Sequence, residues 1–73
     1  MPSSPIGTYL LECKVSGVGR RFTGTFREAI LAARKRLLHK YWKQVIRTYP
    51  ENERIAEVWN NGEWIREDYK HVD

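Results

Sequence analysis

From Thr8 the chain alternates, with Tyr9, Leu11, Cys13 and Val15 on one side and Thr8, Leu10, Glu12 and Lys14 on the other. A period of two is that of a strand with one buried face. Ser16-Gly17-Val18-Gly19 supplies turn residues, and Arg20-Arg21-Phe22-Thr23 reads as a short return strand. The period then lengthens. Thr25-Phe26-Arg27-Glu28 is a capping box, in which the Thr25 hydroxyl accepts from the Glu28 amide and the Glu28 carboxylate reaches back to the Thr25 amide. No Gly or Pro interrupts the next residues, so the pattern predicts a helix to about Tyr41. Phe26, Ala29, Ile30, Ala33, Leu37 and Tyr41 share an arc of roughly 120°, wide enough to cover a sheet, and the small Ala29 and Ala33 allow close approach.

Three more strands are predicted. Gln44 to Tyr49 is rich in β-formers and stops at Pro50, where Pro50-Glu51-Asn52 turns the chain. Arg54 to Trp59 and Glu63 to Asp68 flank Asn61-Gly62, a strong hairpin signal. A two-residue type I′ loop there sets Trp59 opposite Trp64, Val58 opposite Ile65 and Glu57 opposite Arg66. Ala56, Val58 and Ile65 then share one face, and Trp59, Trp64, Glu57 and Arg66 the other. The fold class that follows is α+β: an antiparallel sheet of four or five strands with one helix on one face, in the order β(β)αβββ. Residues 1–7, which begin Met-Pro-Ser-Ser-Pro, are expected to form a flexible arm, and residues 8–73 a single domain.

The length changes the picture first. A chain of 73 residues hides only about 60% of its unfolded surface, so its core is thin. One Cys cannot form an internal disulfide, and one Cys with two scattered His cannot hold a structural zinc. No apolar run approaches the roughly 20 residues of a membrane span, and no secretion leader is visible, so the expected compartment is the reducing cytoplasm. The net charge of +4 is unevenly placed. Residues 1–50 carry ten basic side chains against two acidic, a balance of +8, and residues 51–73 carry three against seven, a balance of −4. That separation either orients the molecule toward an anionic partner or is cancelled where the halves touch.

Candidate chemistry is concentrated in four features. Arg34, Lys35 and Arg36, followed by His39, Lys40 and Lys43, are the densest cations, either a solvated helix back or a phosphate- or carboxylate-binding ridge. Lys14, Arg20 and Arg21 surround a glycine-containing loop that is either a plain turn or a small anion-binding nest. Trp59 and Trp64 either lie in the core or stand on an open face beside Arg66, as a protein hot spot or a base-stacking platform. Leu31, Leu38 and Trp42 line up on the predicted helix flank, covered by a strand or left as a dimer seam. The nucleophile elbow, the phosphate-binding Gly-Lys loop and the His-Glu-x-x-His pair are all missing from the sequence, and Cys13 reads as a small buried hydrophobe. A non-enzymatic protein without cofactor or metal is expected.

The layout from Thr25 onward resembles a known class. A capped helix is followed by a Val/Ile strand (Gln44 to Tyr49), a strand Ile55-Ala56-Glu57-Val58-Trp59 leading into Asn60-Asn61-Gly62, and a closing Glu63-Trp64-Ile65. This is similar to small phage-encoded anti-CRISPR proteins, especially basic ones acting on type I surveillance complexes. The chain departs from them where their basic helix doublet would fall, on the apolar Ile30 and Leu31. The resemblance implies an inhibitor that docks on a host nucleoprotein complex and blocks a nucleic-acid or partner site. In that reading Arg20, Arg21, Arg34, Lys35, Arg36, Lys40 and Lys43 meet the target, and Trp59 and Trp64 anchor it. The other expectations are a direct DNA- or RNA-binding phage regulator, and an accessory protein that dimerises through Leu31, Leu38 and Trp42.

Overall fold

The computed structural model describes residues 6–14, 17, 19–37 and 43–69. Strands β1 (Gly7–Cys13) and β2 (Gly19–Gly24) lead to helix α1 (Phe26–Lys35), and β3 (Gln44–Thr48), β4 (Arg54–Trp59) and β5 (Gly62–Ile65) follow. They form one antiparallel sheet in the spatial order β2-β1-β3-β4-β5, with the helix packed on one face. The expected α+β class and element order are both present. Gly7, placed in the arm by the sequence pattern, pairs with Gly24 in β1; residues 1–5, on which the rest of the expected arm falls, lie outside the described residues.

Alternation along each strand sorts the sheet into rows. The central row on the helix side runs Arg20, Leu11, Ile46, Ala56 and Ile65, and the rows beside it run Phe22, Tyr9, Thr48 and Cys13, Gln44, Val58, Glu63. Leu11, Ile46, Ala56 and Val58 are buried there against Phe26, Ala29, Ile30 and Ala33 of the helix. Ala29 and Ala33 are fully covered, as expected of small residues that let the helix backbone approach the strands. Cys13 is buried in the same layer. The capping box forms as expected, with the Glu28 amide donating to Thr25 Oγ1 at 3.1 Å and the Thr25 amide to Glu28 Oε1 at 2.9 Å. This fold-back explains Gly24: a Cβ there would lie 2.8 Å from Glu28 Oε1 and 2.9 Å from the Phe22 ring.

Two expectations are corrected. The helix does not reach Tyr41. It closes at Lys35, where the amides of Arg36 and Leu37 turn back to the carbonyls of Ala33 and Arg34 in tighter bonds, at 3.1 and 3.2 Å. The reason is spatial. The next strand must start at Gln44 beside Cys13, and six further helical residues would carry the chain about 9 Å onward. No residue in the sequence announces that stop.

The second correction is the β4–β5 register. Trp59 pairs with Gly62 and Glu57 with Trp64, so the two-residue turn is Asn60-Asn61 and the two indoles are not opposite one another. Neither turn residue takes a left-handed φ; among the described non-glycine residues that conformation falls to Asn52, at 66°. Gly62 serves another purpose than a type I′ turn. The Trp59 indole lies across it, and a Cβ at Gly62 would meet Nε1 at 3.4 Å. The strand β5 also stops at Ile65 rather than Asp68, with one more bond from the Arg66 amide to the Ile55 carbonyl.

Ile46 is fully buried at the centre of the sheet. Ile46→Ala is expected to cost about 2–5 kcal/mol in denaturant unfolding, a large share of the stability of a domain this small. Gly62→Ala is expected to keep the hairpin register, to cost under about 1 kcal/mol, and to shift the Trp59 indole resonance in NMR spectra.

Candidate functional site

The face away from the helix carries its own rows. One runs Gly19, Glu12, Val45, Glu57 and Trp64, and the next runs Arg21, Leu10, Arg47 and Arg54. A row containing two carboxylates therefore lies beside a row containing three guanidinium groups. Arg54 belongs to this face only because of an irregularity. The β3–β4 register slips between Ile46 and Arg47, so Ile55 is an extra residue in β4. Ile55 and Ala56 both turn into the core, and Arg54 emerges on the same side as Glu57.

Glu57 is the centre of the arrangement. It is only 8% exposed on the face that no described helix covers, with Lys43 Nζ at 3.0 Å and Arg54 Nη1 at 2.7 Å. Burial alone would raise its pKa; the hydrogen bonds and charges of Lys43 and Arg54 outweigh it and hold the carboxyl below the usual carboxylate range. Each cation also lies against an aromatic ring. Lys43 is 5.6 Å from the centroid of Trp59, and the Arg54 guanidinium is 4.8 Å from that of Trp64. At the β2 end Arg21 repeats the theme, 5.3 Å from the Tyr49 centroid and donating to its hydroxyl at 3.3 Å. Between them Arg47 donates to Glu12 at 3.4 Å. Val45 is fully buried beneath this layer, so charged and aromatic side chains roof it in place of a second helix.

Trp64 and Tyr49 remain among the exposed large apolar side chains, at 37% and 41%. The result is a surface of aromatic rings with cations already seated on them. Side chains held this way lose little rotamer freedom when a partner arrives.

The structure separates most of the cations that the sequence groups together. Arg20 and Arg21 are adjacent in a strand and therefore face opposite sides of the sheet. Arg34 donates to the Trp59 carbonyl at 3.2 Å and pairs with Glu63 at 2.7 Å, tying the helix end to the last hairpin. Arg36 donates to the Leu11 carbonyl at 3.3 Å. Lys35 is exposed on the helix, and Lys43 is committed to Glu57. The expected Glu57–Arg66 pair does not form. Arg66 instead bonds Asp68 and lies 4.0 Å from Glu53, because Glu57 stands opposite Trp64. Leu31 is exposed, and Lys40, Leu38 and Trp42 lie outside the described residues. The line-up of Leu31, Leu38 and Trp42 presupposed a continuous helix, which ends at Lys35. Val15, Ser16 and Val18 of the glycine-containing loop also lie outside the described residues.

The two charged halves meet in the contacts Arg34–Glu63 and Lys43–Glu57, so part of the sequence-level separation is cancelled internally. Arg54 and Tyr49 are functional candidates that sequence reasoning missed. Residues three apart on a regular strand face opposite ways, so only the bulge brings Arg54 to Glu57, and no residue type marks it.

Glu57 sets a pH dependence. Its folded pKa is depressed, so the stability it contributes is present above the ordinary carboxylate pKa, about 4.3, and lost as pH falls through the lower folded value. Glu57→Gln is expected to flatten that acid limb in unfolding titrations. Arg34→Ala is expected to lower stability by about 1 kcal/mol and Lys35→Ala by none, measured in the same way.

Comparison of the chain with protein-family models, with curated proteins and with solved structures finds no match, so the functional reading rests on this geometry.

Proposed function

We propose that the chain is a small non-enzymatic binding protein, phage-encoded and acting in the bacterial cytoplasm, that inhibits a host nucleoprotein defence complex by covering one of its surfaces. The contact surface in this reading is the open sheet face, with Trp64 and Tyr49 as exposed anchors and Trp59, Arg21 and Arg54 around them. The single observation that carries it is the pairing of each of these three rings with a cation on that face. Aromatic and arginine side chains supply most hot-spot energy at protein interfaces, and here they are held in place before binding. The anti-CRISPR-like layout supports the same reading. No described helix is long and apolar enough to cross a membrane.

The alternative is a direct nucleic-acid binder, favoured by the same rings as a stacking platform for single-stranded bases. Charge accounting weighs against duplex binding. Arg34, Arg36, Lys43, Arg47 and Arg54 are engaged within the fold, and Arg20 and Arg21 face apart. About two or three phosphates are then within reach of one face, against the roughly 6–10 contacts of a strong duplex binder.

Expression of the chain in bacteria carrying an active type I CRISPR system is expected to restore plaquing of a targeted phage. Trp64→Glu and Arg21→Glu, which leave the helix side untouched, are expected to abolish that protection. Unchanged plaquing with the folded wild-type chain would sink the anti-defence reading. Binding of single-stranded oligonucleotides at physiological salt, lost on Trp64→Ala, would establish the alternative.

A further inference from the structure

The β2 side of the molecule carries a second surface, which meets the open face at Arg21. As the outermost strand of the sheet, β2 pairs among the described residues only with β1, and its six residues leave one row of backbone donors and acceptors along the edge without a partner among them. Beside that edge, on the helix side, a shallow groove of about 300 Å³ lies between β2 and α1, lined by Phe22, Glu28, Leu31, Ala32 and Lys35. Leu31 is 53% exposed there, an apolar side chain standing at the lip of an apolar slot. Glu28 is held back by the cap, which leaves Lys35 as the groove's available charge. Arg20 and Lys35 are both exposed and make no ion pair with any described residue.

We infer that an extended acidic peptide segment of the partner adds to the sheet as a sixth strand along β2, seating one apolar side chain in the groove. The inference rests on the reading of the chain as a binding protein, and it names the chemistry of the segment. A strand beside β2 alternates as β2 does. Neighbours of Arg20 point to the helix side, neighbours of Arg21 to the open face, and the neighbour of Phe22 enters the slot formed with Leu31 and Ala32. The matching segment therefore has two adjacent carboxylates next to an apolar residue. One carboxylate meets Arg20 and Lys35, and the other meets Arg21.

Charge also selects against other occupants. Two β2 edges paired antiparallel would bring four arginines together within about two residues, and like charges across strands are destabilising. Pairing with the β5 edge of another copy is head-to-tail, which builds a ring or a filament rather than a two-fold dimer. A nucleic acid would meet the cations but leave the backbone row and the slot unused.

The test pans a phage-displayed random heptapeptide library on the immobilised full chain, then measures a selected peptide by fluorescence anisotropy and by amide shift mapping. The expected pool is enriched in an Asp/Glu pair beside Val, Ile or Leu, in either chain direction. Amide shifts should fall on residues 19–24, Leu31 and Lys35 of the wild-type chain, which requires no variant to fold. Arg20→Glu with Lys35→Glu should weaken binding at least about tenfold and Leu31→Asp similarly, while Trp64→Ala leaves it unchanged. A pool without acidic pairs, no peptide above background, shifts centred on β4 and β5, or competition by a single-stranded oligonucleotide would each overturn the inference. Loss of phage protection in Trp64→Glu with peptide binding intact would separate the two surfaces. Absent protection in the wild type alongside such binding would sink only the anti-defence reading.

Discussion

One helix of ten residues cannot cover both faces of a five-stranded sheet, and that shortage of cover shapes everything else in the molecule. The helix side takes the aliphatic core. The other side still has Val45 to bury, and it does so with a layer of long charged side chains and aromatic rings. Stems of Arg and Lys supply apolar cover while their charged ends find carboxylates and ring faces. A solvent-facing sheet thus becomes a surface whose structural duty falls on the same residues that the proposed recognition would use.

Glu57 shows how the two are joined. A carboxylate this buried is tolerable only with good partners, since its desolvation otherwise opposes folding. Lys43 arrives from the start of β3 and Arg54 from beyond the β4 bulge, and each rests on an indole. The ion pairs orient the cations, the cations orient the rings, and the rings are what a partner would meet. The β2 end differs. Arg20 and Lys35 there make no ion pair with a described carboxylate, and both are exposed.

The contacts of the helix end belong to the same scheme. Arg34 and Arg36, prominent as a basic cluster in the sequence, reach the Trp59 and Leu11 carbonyls and Glu63. They close the open end of the sheet against the helix, so their charge serves the fold. Tyr69 performs a similar closure at the opposite end, packing on Phe26 and sharing a hydrogen bond with the buried Tyr9 hydroxyl, whose pKa rises through burial and that bond.

By itself the sequence determined what depends on neighbours along the chain. The period-two run through Tyr9, Leu11 and Cys13, the capping box at Thr25 and Glu28, and the small helix residues Ala29 and Ala33 all express local sterics and burial. These residues were legible together with the α+β order. Only the tertiary structure decided where α1 stops, which two asparagines form the last turn, and which cations share a face. Those outcomes depend on distances between segments remote in sequence: the start of β3 beside Cys13, the seat of Trp59 on Gly62, and the extra residue Ile55 that turns Arg54 over. A one-residue change of register moves every side chain to the other face, and no local signal outweighs the packing that sets it.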